Sequence, residues 1–124
     1  MAGEQNVESA KQAYAAFSAG DAAGAMANMS DDIEWVTPGN SAISGTAHGK
    51  QEVGALWAKF AEHGFKTSPQ YWFSDEERVV VLAQTTIDGE KSDSVDVLTF
   101  RDGKLVKFQN SSDTALGERI FGSK

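Results

Sequence analysis

Residues 94–108 read SVDVLTFRDGKLVKF. Two largely apolar, alternating runs flank Asp102-Gly103, the composition of a β-hairpin. Phe100-Arg101-Asp102-Gly103-Lys104 suits a three-residue loop with Gly103 in the left-handed conformation. Phe100 then faces Lys104, which sets Leu98 opposite Val106, Asp96 opposite Phe108 and Ser94 opposite Asn110. Side chains alternate along a strand, so these residues share one face, and Val95, Val97, Thr99, Leu105, Lys107 and Gln109 share the other. A slip of one residue in the loop would exchange the two faces.

Working outward, the chain divides into helices first and strands after. Val7, Ala10, Tyr14 and Phe17 recur at helical spacing between about Glu4 and Ala19, an amphipathic helix ending near Gly20. Asp21 is placed to cap a short second helix running to about Met29. Residues 32–37 read as a strand, followed by a loop with Gly39, Gly45 and Gly49. A third helix from about Lys50 to His63 carries Val53, Leu56, Trp57 and Phe60 on one stripe, and Gly64 closes it. Strands are expected at 70–74, 78–87, 92–101 and 104 to about 112, with Asp88-Gly89 as a further hairpin turn. Asp113 suits the N-cap of a terminal helix bearing Leu116, Ile120 and Phe121. This order predicts an α+β domain with helices on one side of a mostly antiparallel sheet.

The 124 residues suffice for one domain with a sizeable core. A formal charge of −7, without a basic stripe, argues against binding nucleic acid or an anionic membrane. The absence of cysteine excludes disulfides, thiol nucleophiles and cysteine-ligated zinc. MAGEQNVESA lacks the basic start and apolar core of a signal peptide, and no apolar run reaches membrane-spanning length, so the expected location is the cytoplasm. His48 and His63 stand alone, without the spacing or neighbouring acids of a metal site, so neither a metal nor an organic cofactor is expected.

Asp96 is the most informative position, because it interrupts an otherwise largely apolar strand. A carboxylate in apolar surroundings has its charged form disfavoured and can serve as a hydrogen-bond donor or as an acid–base group. An acid at a solvated sheet face, or one held by backbone or side-chain donors, would read the same in sequence. Tyr14 lies on the buried stripe of the first helix, where its hydroxyl needs a partner, either a ligand or a neighbouring carbonyl. Trp35, Trp57, Trp72, Phe17, Phe60 and Phe108 are numerous for so short a chain; they could line an apolar pocket or simply fill the core.

YAAFSAGDAAGAMANMSDDIEWVTPG (14–39), SGTAHGKQEVGALWAKF (44–60), VDVLTFRDGKLVKF (95–108) and DTALGERIFG (113–122), in that order, resemble the ketosteroid-isomerase and SnoaL-like branch of the nuclear-transport-factor-2-like superfamily. The resemblance covers nearly the whole chain and implies a single SnoaL-like domain over residues 1–124. It implies a cone: a strongly curved, mostly antiparallel sheet wrapped on three helices, with a short C-terminal helix, around one apolar pocket. It also implies a homodimer formed through the outer sheet face. In the steroid isomerases of this branch an aspartate base immediately precedes the proline after the first strand; here that residue is Thr37. Their oxyanion hole pairs a tyrosine on the first helix with a protonated aspartate. The aspartate aligns with Asp96, and the tyrosine aligns one residue from Tyr14. The acid–base aspartate of the polyketide cyclases aligns with Asn110. Limonene-epoxide hydrolases use an arginine–aspartate arrangement without a counterpart here.

A threonine hydroxyl is far too weak a base to take a proton from carbon near neutrality, so standard ketosteroid isomerisation is not expected. The expectation is a pocket protein for a small apolar carbonyl or hydroxyl compound, with proton transfer of isomerase or cyclase type through Asp96 as the catalytic group. Tyr14, Trp35, Thr37, Trp57, Leu98, Phe108 and Asn110 are the expected ligand contacts. The alternative is a non-catalytic ligand-binding or protein-interaction domain of the same fold.

Overall fold

The computed structural model describes residues 2–124. The elements run α1 (Ala2–Ser18), α2 (Ala22–Met26), β1 (Met29–Thr37), β2 (Gly45–His48), α3 (Gly49–Glu62), β3 (Lys66–Ser74), β4 (Arg78–Ile87), β5 (Glu90–Arg101), β6 (Lys104–Ser111) and α4 (Thr114–Phe121). Local chemistry explains most of the boundaries. Asp21 caps α2 by accepting from the Gly24 amide at 2.9 Å, and Asp113 caps α4 through the Leu116 amide at 3.1 Å. Asp88 and Gly89 both take positive φ, as a two-residue hairpin turn requires.

The strands form one curved, open sheet in the order β2-β1-β6-β5-β4-β3. Only β1 and β6 run parallel; the other neighbours are antiparallel. α1 packs over β3 and β4, and α3 over β1 and β2. Between helices and sheet lie Ile33, Val53, Val79, Val81 and Leu98, each essentially without solvent contact. Burial of each such side chain contributes about 1.5–3 kcal/mol. This is the α+β cone expected from the motif order. No helix among the described residues is long and apolar enough to cross a membrane.

The hairpin at 94–108 differs from its expected register, and the difference matters. Its loop has two residues, not three: Arg101 pairs with Lys104, and Asp102 (φ 51°) and Gly103 (φ 78°) form the turn. Phe100 pairs with Leu105, then the register shifts, so that Thr99 faces Lys107, Leu98 faces Phe108 and Asp96 faces Asn110. The shift leaves Val106 as the extra residue of a β-bulge. Loop and shift together correct the expected pairing of Asp96 with Phe108 and of Leu98 with Val106. The two-residue loop, by pairing Leu105 with the inward Phe100, turns Leu105 inward, to 5% exposure, instead of onto the outer face with Val95 and Val97. Leu105 and Phe108, three residues apart, can then both face the core.

Three other boundaries move for physical reasons. α2 stops at Met26, short of the expected Met29, because Met29 already pairs with Leu105 in the sheet. Asn28 fixes that junction: its side chain donates to the Gly103 carbonyl at 2.6 Å and its own carbonyl accepts from the Leu105 amide at 2.9 Å. Residues 45–48, expected as loop, form β2 by pairing antiparallel with the end of β1. β3 begins at Lys66 instead of residue 70, with a shift between Pro69 and Tyr71. Proline is tolerated there because β3 is an edge strand.

Candidate ligand cavity and its polar wall

Alternation places Ser92, Ser94, Asp96, Leu98 and Phe100 of β5 toward the helices, so that this face changes from polar to apolar along the strand. The register sets Thr37 of β1, Asn110 of β6, Ser92 of β5, Thr85 of β4 and Thr67 of β3 near the same end of the sheet. A cavity of about 120 Å³ lies under this region. α4 and the segment from Pro38 to Ile43 bound it on one side, while Ala25, Met29 and Leu105 bound it on another. Its volume is of the order of the engineered cavity of about 150 Å³ that accepts benzene.

The expected catalytic group and the seven expected ligand contacts all line this one cavity: Asp96, Tyr14, Trp35, Thr37, Trp57, Leu98, Phe108 and Asn110. The apolar members touch one another as well as the cavity. Trp35 stacks on Phe108 with centroids 3.7 Å apart and planes 10° from parallel. Trp57 meets Trp35 and Phe17 edge-on, at 5.5 and 5.0 Å. Of the six aromatics noted in the sequence, Trp72 lies outside the lining and packs against the core. For the other five the two readings coexist, since the same rings fill the core and line the space.

The polar centre is Asp96, which is 3% exposed. Asn110 Nδ2 donates to its Oδ1 at 2.7 Å, and the Tyr14 hydroxyl donates to its Oδ2. The observed register produces the first contact, because it sets Asn110 directly opposite Asp96. α1 supplies the second, with the Tyr14 ring held edge-on against Trp72 at 5.4 Å. Burial raises the Asp96 carboxyl above its ordinary value, while the bonds from Tyr14 and Asn110 pull the other way and do not cancel it. The Tyr14 hydroxyl is raised well above its ordinary value, first by burial and then by the charge and hydrogen bond of Asp96. Tyr14 and Asn110, expected to touch the ligand directly, thus also hold the carboxyl in place.

Several polar atoms of the cavity wall have no hydrogen-bond partner: Thr37 Oγ1, Thr67 Oγ1 and Trp57 Nε1 are buried and unpaired. Thr67, Thr85 and Ser92 were not singled out in the sequence. Their only signal is a hydroxyl residue at an inward position of each strand, which is common in sheets and becomes visible as a group only through the register. His48 and His63 lie outside the cavity lining. His63 instead bonds Asp88 at 2.8 Å through Nδ1 and meets the Phe121 ring edge-on at 4.7 Å. Among the described residues no group of three His, Cys, Asp or Glu side chains is placed to hold a metal ion.

The fold recurs in solved structures. Bal32a, from a soil-derived mobile gene cassette, superposes with a TM-score of 0.88 at 24% identity over 98% of each chain. An NTF2-like protein of unknown function from Burkholderia pseudomallei gives 0.85 at 27% identity, covering 96% of this chain and 98% of the other. TerC, crystallised with polyporic acid, gives 0.85 at 26% identity, covering 96% and 99%. No curated protein matches the chain in sequence. The family profile described as SnoaL-like domain matches residues 10–108, four-fifths of the length and all of the cavity-lining strands but the final residues of β6, and the chain therefore belongs to the SnoaL-like domain family.

Proposed function

We propose that the cavity binds a small apolar molecule through a carbonyl or hydroxyl oxygen, and that Asp96 and Tyr14 exchange a proton with it. The observation that carries this reading is a buried carboxyl, raised by desolvation and bonded to a buried tyrosine, in the wall of an otherwise apolar cavity. Asn110 can only donate through its amide nitrogen, so Asp96 Oδ1 is an acceptor. The remaining proton belongs to the Asp96 Oδ2–Tyr14 pair. With Asp96 ionised, the tyrosine hydroxyl points at the carboxylate. With Asp96 protonated on Oδ2, the carboxyl donates to the tyrosine oxygen and the tyrosine proton turns toward the cavity. Burial favours this second state, in which a ligand carbonyl receives a hydrogen bond backed by an acid. When an enol carbon of the ligand itself closes onto that carbonyl carbon, the C=O π pair moves onto the oxygen, which takes the Tyr14 proton as the Asp96 proton passes to Tyr14. The carboxylate left, still held by Asn110, then takes up the proton that the enol oxygen sheds.

The reaction class is isomerase- or cyclase-type proton transfer, with Asp96 as the acid–base group. Thr37 occupies the position of the steroid isomerase base and cannot act as one, and the neutral amide of Asn110 cannot replace the cyclase aspartate. TerC, the relative crystallised with polyporic acid, supports an aromatic oxygenated ligand class. The volume of about 120 Å³ favours a single ring over a fused tetracycle in the conformation described.

The test is the binding of para-propylphenol, by calorimetry, to the wild type and to Tyr14→Phe and Asp96→Asn. Tyr14→Phe is expected to weaken binding about tenfold, the loss of one buried hydrogen bond. Asp96→Asn, whose amide can accept from Asn110 and donate to Tyr14 as the protonated carboxyl does, is expected to raise affinity or leave it within about twofold. Unchanged affinity in Tyr14→Phe would remove the polar pair from the site and leave the non-catalytic reading.

A further inference from the structure

Three cavity-lining hydroxyls fall on one line across the sheet. Thr67 of β3 pairs with Thr85 of β4, and Thr85 pairs with Ser92 of β5. Residues directly opposite in antiparallel strands project to the same face, and all three line the cavity. Their hydrogen bonding is incomplete. Thr85 Oγ1 and Ser92 Oγ share one bond at 3.1 Å, and Thr85 Oγ1 reaches the Ser92 carbonyl only at 3.5 Å. Thr67 Oγ1 is buried with no partner at all.

Each hydroxyl can donate once and accept twice, so the row holds far more capacity than it uses. The same cavity wall carries apolar groups, Phe65, Ile87 and Phe121, that cannot satisfy it. Buried polar groups are nearly always paired, and an unpaired one calls for a specific account. A packing role would be met equally well by valine at the two threonines and by alanine at Ser92, neither of which carries a hydroxyl. The row is also separate from the Asp96 centre: Ser92 and Asp96 are four residues apart on β5, roughly 13 Å of strand.

We propose that Thr67, Thr85 and Ser92 form a second polar station in the cavity, which receives a second oxygen of the ligand. Resting on the reading of the cavity as a ligand site, this narrows the ligand to a bifunctional compound. One carbonyl or phenolic oxygen sits at Tyr14 and Asp96, a single ring or similar apolar body lies among Trp35, Trp57 and Phe108, and a hydroxyl or carbonyl at the far end meets the row. Selectivity follows from the unpaired groups, because a site built to bond a hydroxyl discriminates against an analogue that leaves its own polar atoms unpaired.

The experiment compares para-propylphenol with the para-(hydroxyethyl)phenol of the same length, in which the terminal methyl becomes a hydroxyl. Binding of both is measured by calorimetry to the wild type, Thr67→Val and Ser92→Ala, with thermal unfolding confirming that each variant is folded. Thr67→Val or Ser92→Ala is expected to weaken the hydroxyethyl compound about fivefold to tenfold while para-propylphenol binds as tightly as before or tighter. If both variants leave the ratio of the two affinities unchanged while para-propylphenol binds the wild type, the second station is wrong and the cavity reading stands. If neither compound binds the wild type, the cavity reading fails and the station with it.

Discussion

Asp96 answers to two opposing physical effects, and their balance gives it a measurable pH signature. Burial disfavours its charge more than the bonds from Tyr14 and Asn110 favour it, so its folded value lies above the ordinary 3.8. A raised folded value contributes stability that is fully present below the unfolded value and is lost as pH rises through the folded one. Unfolding free energy is therefore expected to decline as pH rises from the ordinary carboxylate range through the raised Asp96 value, and Asp96→Asn is expected to flatten that decline; urea melts across pH check this. Tyr14 carries the same sign at the alkaline end, its contribution present below 10.0 and lost above it. Tyr14→Phe removes a donor that favours the charged carboxyl, so the Asp96 titration is expected to move further up, and the fold to lose about 1–3 kcal/mol. Asp96 was legible in sequence because an acid interrupting an apolar strand is conspicuous. Thr67 was not, because a threonine in a strand is ordinary and its missing partner is a property of the assembled wall.

At the scale of elements, capping and turn chemistry were legible and register was not. Asp-Gly announces a tight hairpin, yet it suits either loop length, and nothing in Leu105-Val106-Lys107 announces a bulge. The shorter loop and the bulge each move the register by one residue, and together they set Asn110, not Phe108, opposite Asp96. β2 escaped notice because GTAH has no alternation, and its structure comes from pairing with β1. The terminal helix shows the opposite case: Asp113 reads as an N-cap and acts as one. Asp113→Ala is expected to cost about 1 kcal/mol by losing the bond to the Leu116 amide. Because α4 borders the cavity, the same variant is expected to speed hydrogen exchange in residues 114–121 and to weaken retention of para-propylphenol, both readable by NMR.

For the whole molecule, the order of motifs along the chain identified the cone more securely than any single motif, since each short signal is common and their succession is not. Packing then ties cavity to core: Phe108 is 7% exposed, stacks on Trp35 and lines the cavity, so Phe108→Ala is expected to cost about 3–5 kcal/mol, measured by chemical denaturation. On the outer sheet face, Tyr71, Leu82 and Val95 form one row and Phe73, Val80 and Val97 a second, with Tyr71 62% and Phe73 57% exposed. We propose that a second copy covers this patch; Phe73→Lys is then expected to convert a dimer to a monomer in analytical ultracentrifugation, and a wild type that sediments as a monomer contradicts it. The central claim concerns the inner face, and the most direct measurement is NMR titration of the Asp96 carboxyl carbon, with and without para-propylphenol. A midpoint above 3.8 that shifts when the phenol is added is the result this account predicts. A midpoint at or below that value, or one indifferent to the phenol, would contradict it.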